Sequence, residues 1–431
     1  MKKIEKFNNL LILGAGASIP YGFPSGYNLI WNIIHCAEIA NHTSHLLSEY
    51  RKKTNEGDRE TFYNEYWKNG PEREDDKKRY REWKSVYGDE PPYFLYKANA
   101  VVEAVARLTA IDDGEIDANR NPKERNNYIS KVNNFARKLK FSGCHSIDFF
   151  LEKRLPPEQK MGKRLVAALL MLKEEPKNLF TYKMGKDWYG HIFNKLAHGH
   201  DPKTFGSNGL HIITFNYDRS LEHYLFQSFI QTYGNTDNMP EITRLAHTKI
   251  KELKILHVHG SLGLFNPMSN TPKVRRYDSK IGFEDIDKAA NQINIVSDKT
   301  KMNVEILALT AKHTKFHFLG FGYDQRNIEK LNLFSIHNNN FGKTVYGTTM
   351  GLTEAEAKSA YQYFGKLYIE TVPEEHRKNH NARDLCKIDK IDFKMVGQNS
   401  GTLMSSGDPQ ILNHERTVLD YLKNTPDLFE L

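Results

Sequence analysis

The chain has 431 residues, of which 39% are hydrophobic and 12% aromatic, enough for one large domain or two to three ordinary ones and too apolar for a disordered polymer. Lysine plus arginine exceed aspartate plus glutamate by 61 − 53 = 8, a mild excess compatible with an anionic ligand or a nucleic acid and diagnostic of neither. The 3 cysteines, Cys36, Cys144 and Cys386, lie too far apart for a zinc knuckle or a CxxC pair, and no apolar run approaches the roughly 20 residues that span a bilayer.

The N-terminus, MKKIEKFNNLLILGAG, runs from two lysines through a short apolar stretch straight into a glycine loop. It lacks a small-residue cleavage site and reads as the first strand of a cytoplasmic protein. That strand is LLIL at 10–13, and after it Leu29, Ile30, Ile33, Ile34 and Ala37 recur at helical spacing, with Ser25 as N-cap. Residues 41–205 are rich in Glu, Lys, Arg, Tyr and Leu with little strand signal. The segments 94–111 and 161–173 have helical period, 71–84 (PEREDDKKRYREWK) reads as a solvated helix face, and 112–127 reads as a polar loop. Further short apolar runs follow at 210–214 (LHIIT), 255–258 (ILHV), 316–319 (FHFL) and 344–346, each ending near Gly, Asn or Asp. Runs of this kind fit buried parallel strands. Leu221, Tyr224, Leu225 and Phe229 continue the second run as a helix. Beyond about residue 350 come a helix (352–368), a polar stretch (371–384), a Gly/Ser loop (397–408) and a last amphipathic helix.

The pattern predicts an α/β fold: a Rossmann-like parallel sheet with a large α-helical insertion. The expected division is a core of 1–40 and 206–350, a helical insertion at 41–205, and a C-terminal helical and loop segment at 351–431. In such sheets ligands bind outside the carboxyl ends of the strands, and four strand ends carry candidate residues. LLILGAGASIPYGFPSG (10–26) places Gly14 and Gly16 where a backbone can come close to an anion, ahead of a helix whose N–H groups can face phosphate. The dinucleotide fingerprint GxGxxG is incomplete, because Ile19 stands at its third glycine, and a tight turn with no ligand is the alternative. TFNYD (214–218) leaves a strand end with Asn216 and Asp218 on one side, able to hold a sugar hydroxyl or a water, or to form an Asx-turn and N-cap. HVHGS (257–261) offers a metal pair without further ligands, a general base, or a structural histidine. LGFGYD (319–324) repeats the theme, with Asp324 placed for a ribose or as an N-cap.

In that combination and order, the sequence resembles the sirtuin (silent-information-regulator) superfamily, and within it the bacterial sirtuin-like branch. Gly14-Ala15-Gly16-Ala17-Ser18 with Gly22-Phe23-Pro24 looks like its GAGxSxxxGIP cofactor loop, and Thr214, Asn216 and Asp218 match T-x-N-x-D. His259-Gly260-Ser261 match its HGS, whose histidine is catalytic in the family. Gly320, Gly322 and Asp324 resemble a late ribose-contacting loop, and SIDFFLEKR (146–154) a segment common in the branch. Ser25, Gly26 and Tyr27 replace the Asp-Phe-Arg of the deacylases, Phe215 replaces their glutamine, and the first cysteine after His259 is Cys386, so the deacylases' zinc module is missing.

The resemblance implies NAD⁺ as substrate, no metal, and hydrolysis of NAD⁺ to nicotinamide and ADP-ribose by an anti-phage effector that depletes NAD⁺ when triggered. It implies Asn216, His259 and Asp218 as the catalytic group. It places NAD⁺ against Gly14, Ala15, Gly16, Ser18, Pro24, Thr214, Gly260, Ser261, Gly320, Gly322 and Asp324. Partners expected on the same ground are further copies of the chain, and a partner ATPase or a phage-derived trigger. The short basic run at 273–276 carries no nucleic-acid reading motif. An NAD-dependent deacylase and a non-catalytic nucleotide-sensing module are the alternatives.

Overall fold

Leu10, Leu11, Ile12 and Leu13 are all buried, so both faces of the first strand are covered, as in the middle of a parallel sheet. The computed structural model describes residues 9–54, 59–71, 74–115, 121–181, 186–207, 209–266, 275–280, 282–295, 304–333, 344–348, 352–371, 394–395, 418–423 and 428. Within it lie strands β1 (Asn9–Leu13), β2 (His211–Thr214), β3 (Ile255–His257), β4 (Lys315–Leu319), β5 (Thr344–Gly347) and β6 (Lys394–Met395). They form one parallel 6-stranded sheet in the order β3-β2-β1-β4-β5-β6. The fold is therefore α/β with a Rossmann-like core. The direction of winding reverses between β1 and β4, and the carboxyl ends of those strands form the switch-point crevice. The five apolar runs of the sequence are the first five strands; β6, at 2 residues, is too short to show a period.

The chain divides into two compact units. The first, Met1–Pro24, Pro176–Arg276 and Val296–Leu431, contains the sheet. One sheet face packs Leu10, Ile12, Ile213, Phe316, Phe318 and Val345 into a core with Ile328, Leu331 and Phe364 from helices Gln325–Leu331 and Glu354–Thr371. Alternate residues of each strand supply that face, as the period of two requires.

The second unit, Ser25–Glu175 with Tyr277–Ile295, is helical among its described residues. Helix Gly26–Thr54 packs on Ala98–Asp112 and Pro122–Phe141, and helix Pro156–Met171 packs on Ala98–Asp112 and Phe283–Ala290. Arg164, 1% exposed, grips Asp112 (2.6 and 3.2 Å) and Asp287 (2.8 and 2.6 Å) and so ties the returning segment in place. The unit boundaries thus fall at 24/25 and 175/176, where the sequence suggests 40/41 and 205/206. The reason is that Gly26–Thr54 is one continuous helix with its packing partners inside the helical unit, and that 277–295 joins it from far along the chain.

Two local expectations change. Helix Pro122–Phe141 begins inside the stretch read as loop, because Asn121 caps it and Pro122 supplies its first turn. Helix Glu74–Tyr87 is not wholly solvated, since Trp83 is fully buried. The polar stretch 372–384 and the Gly/Ser loop 397–408 lie outside the described residues. The end of the chain has helix Val418–Lys423. Among the described residues no helix is long and apolar enough to cross a membrane.

Candidate active site

The sheet brings the four candidate strand ends to one edge, in the spatial order His259 (after β3), Asn216 (after β2), Gly14 (after β1) and Gly320 (after β4). The first two loops to compare are those of β1 and β2.

After β1 the backbone makes a single helical turn, Ala15–Ser18, then a 3-10 turn, Ile19–Tyr21, and the long helix starts only at Gly26. The loop lies against the loop after β4. Gly14 N donates to Leu319 O (3.0 Å) and Gly16 N to Gly320 O (2.9 Å), while Ala17 N closes the turn on Gly14 O (3.0 Å). A Cβ on Gly14 would sit 2.6 Å from Gly320 O, and one on Gly16 2.8 Å from the same atom. Gly320 has φ +58°, and its Cβ would meet Ala17 N at 2.1 Å. These glycines therefore serve a close approach of backbone to backbone. The expectation of a glycine loop ahead of a helix whose N–H groups can face phosphate changes accordingly: the N–H groups of Gly14, Gly16 and Ala17 are engaged by carbonyls, and the helix directly after the strand is one turn long. Ala15 and Gly16 are half-buried and Ser18 is buried, while Pro24 is half-buried at the boundary of the unit.

The β2 loop is built differently. Thr214 Oγ1 accepts from Asn216 N (3.0 Å), which turns the chain sharply after the strand. The Asn216 amide nitrogen donates to Gly14 O (3.0 Å) and to Ser18 Oγ (2.9 Å). A backbone carbonyl only accepts, so the nitrogen side of the amide must face Gly14. Both N–H groups are then engaged, and among the described residues the amide oxygen is the acceptor that Asn216 has left. Asn216 is 8% exposed, so this acceptor sits in a nearly dry place.

Asp218, also buried, does not act on its own. Its carboxylate accepts from Ser220 N (3.2 Å), from the Ser220 hydroxyl and from Ser18. Burial pushes its acidity down, raising its pKa, and these hydrogen bonds oppose that shift. Ser18 thus stands between Asp218 and Asn216. Tyr189 extends the network with a 2.6 Å bond to Ser220 Oγ, and its phenol is held well above its ordinary pKa by burial and then by Asp218. The Asx-turn reading of TFNYD is partly what the structure shows: Asp218 bonds the first residue of helix Ser220–Tyr233.

In HVHGS the two histidines part ways. His257 Nδ1 lies 2.8 Å from Asn216 O and Nε2 lies 2.7 Å from Glu222 Oε1, so both ring nitrogens are engaged by protein oxygens. His259, 2% exposed, places Nε2 3.1 Å from Asn327 Oδ1 and packs edge-on against Phe215 at 5.4 Å. Gly260 (φ +72°) makes the turn, and Ser261 Oγ donates to Gly263 O (2.9 Å). Among the described residues no group of three or more His, Cys, Asp or Glu could hold a metal.

After β4, Asp324 caps helix Gln325–Leu331 by accepting from Arg326 N (3.0 Å) and pairs with the Arg326 guanidinium at 2.9 Å. Gly322 is exposed, with open space around its Cα. The sequence reading missed Asn327, Glu222, Ser220 and Tyr189. Of these only Glu222 left a signal, one helical turn beyond Asp218; Tyr189 and Asn327 reach the site through the fold.

A family model described as SIR2-like domain matches residues 210–356. No curated protein and no solved structure matches the chain.

Proposed function

We propose that this chain, whose residues 210–356 match a SIR2-like domain, is an NAD⁺ glycohydrolase that releases nicotinamide and ADP-ribose. One observation carries the reading: Asn216 is fixed by three hydrogen bonds so that its amide oxygen remains as acceptor, beside the turn that bears His259.

The bond from ribose C1′ to nicotinamide breaks with its electron pair going to the pyridinium nitrogen, which becomes neutral. The leaving group needs no acid. Positive charge develops at the ribose, as in glycoside cleavage, and a water oxygen bonds to C1′ while losing a proton. Asn216 Oδ1 accepts from that water or from a ribose hydroxyl. His259, whose ordinary pKa lies near neutrality, takes the proton. Asp218 acts through Ser18 to hold the Asn216 amide, and Asn327 orients the His259 ring. Burial of all three candidate catalytic residues excludes bulk water and strengthens each of these interactions. The family's peptide groove is not needed once water is the acceptor. Depletion of NAD⁺ in phage-infected cells, by assembled copies or with a partner, is the cellular setting that belongs to the same proposal.

Purified protein incubated with NAD⁺ should yield nicotinamide and ADP-ribose, and Asn216→Ala and His259→Ala should each lower this by about 100-fold or more while keeping the fold. Retained turnover in both variants overturns the assignment. A second reading, a nucleotide-binding module without turnover, is favoured by His259 being 2% exposed and bonded to Asn327. NAD⁺ binding with no product at any concentration would select it.

A further inference from the structure

We propose that Glu222 and His257 form a positioning pair for Asn216, with His257 working as the doubly protonated imidazolium. The proposal rests on the NAD⁺ reading above and adds two residues to it.

The argument starts from Asn216. Its backbone N–H, its carbonyl and its side-chain nitrogen all have partners: Thr214, His257, and Gly14 with Ser18. Among the described residues His257 holds the carbonyl. It can do so because it ends β3 directly opposite Thr214 in the sheet register, which brings its ring under the turn that carries Asn216. The Asn216 carbonyl can only accept, so Nδ1 carries a hydrogen. Nε2 faces a carboxylate oxygen at 2.7 Å, so it carries one too. The side chains of His257 and Glu222 are 11% and 9% exposed, so the ion pair is shielded. Among the described residues the groups that act most strongly on this ring are Glu222 and Asp218, both carboxylates on the segment after β2, and the Asn216 carbonyl. Burial opposes the charge, but Glu222, the Asn216 carbonyl and Asp218 outweigh it, so the ring pKa lies above its ordinary value. A group with a raised folded pKa gives its stabilisation in full below the ordinary value of about 6.5 and loses it as pH rises through the raised one. Neutral His257 keeps one hydrogen. It must either release the Asn216 carbonyl or turn a lone pair toward Glu222. Either change moves the loop that aims the Asn216 oxygen.

The test compares wild type with Glu222→Gln, His257→Asn and His257→Phe. Two quantities are read as functions of pH: nicotinamide release, as kcat and KM, and the ring titration of His257 by NMR of histidine-labelled protein. Wild-type kcat should fall on an alkaline limb that coincides with the His257 titration. In Glu222→Gln both should move down by about 1–3 pH units. His257→Asn keeps a donor for the Asn216 carbonyl, so it should hold kcat within about 10-fold and lose the limb. His257→Phe should cost about 100-fold in kcat with KM little changed. An unmoved limb and an unmoved ring titration in Glu222→Gln overturn the pair, as does a His257→Phe enzyme with wild-type kcat. Should Glu222→Gln fail to fold, Glu222→Asp, which shortens the reach to Nε2, must lower the same titration. If wild type turns over no NAD⁺, the hydrolase reading fails on its own. The ring titration and the pH dependence of NAD⁺ affinity in the same variants then still decide on the pair.

Discussion

The loops after β1 and β2 look alike in sequence, since both follow an apolar strand with small or polar residues, yet they do opposite work. Gly14, Gly16 and Ala17 direct their N–H groups into the protein, and the lack of a side chain on Gly14 and Gly16 lets the Gly320 loop come within van der Waals distance. Among the described residues, Asn216 has partners for every group but its amide oxygen and keeps that single acceptor. A glycine at a strand end says that a backbone must come close. It does not say whether the neighbour is a ligand or another loop. A polar side chain pinned at all atoms but one is the more telling sign of chemistry.

The comparison breaks most readily at Asn216. Asn216→Ala should lower NAD⁺ turnover by about 10²–10³-fold, as for the loss of a preorganised polar group in an active site, with the circular dichroism spectrum retained. The mirror case is Gly320→Ala. The new Cβ would meet Ala17 N at 2.1 Å in a left-handed backbone, which should cost about 3 kcal/mol of stability, read by denaturant unfolding. Gly322→Ala, with nothing within 4 Å of its Cβ, should stay within about 0.5 kcal/mol of wild type. A Gly320→Ala protein of full stability would mean that the β1 loop is not the packed element described above.

These residues also show how far the sequence could be read. The five strands and the sheet edge at which β2 and β3 end were legible, because buried parallel strands leave short apolar runs. The helix at Pro122 was legible in principle, since Asn-Pro is a cap signal, but the polar stretch around it masked the cap. The role of the glycines was not legible. Their neighbour, Gly320, is some 300 residues away, and only the sheet order β1-β4 makes them adjacent. Asn327 and Tyr189 were hidden for the same reason. The split between His257 and His259 depends on the register of β3 against β2, which no periodicity records.

A smaller effect is expected at Asn327. Its bond to His259 Nε2 at 3.1 Å should be worth about 1 kcal/mol. Asn327→Ala should therefore cut kcat roughly fivefold with KM nearly unchanged, because the ring keeps its packing on Phe215 and loses its orientation. A change confined to KM would instead make Asn327 a contact for NAD⁺.

The smallest effect separates two uses of Asp324. As the cap of helix Gln325–Leu331 it accepts from Arg326 N, and its side chain is 40% exposed. Asp324→Ala should cost about 1 kcal/mol, the usual worth of an N-cap. Burial opposes ionisation of this carboxyl, but Arg326 and the helix N–H groups outweigh it, so its pKa lies below the ordinary carboxylate value. The stabilisation is then complete above that ordinary value and lost as pH falls through the depressed one, with a screened, salt-sensitive amplitude. Asp324→Asn is the discriminating variant. Asparagine caps helices as well as aspartate, so a residue that only caps should tolerate it in stability at neutral pH and in NAD⁺ turnover, with the acid-side stability loss from this carboxyl gone. A carboxylate that accepts from a ribose hydroxyl is different: Asp324→Asn would then keep the helix and raise KM for NAD⁺, and the β4 loop would join the β2 loop on the side of chemistry.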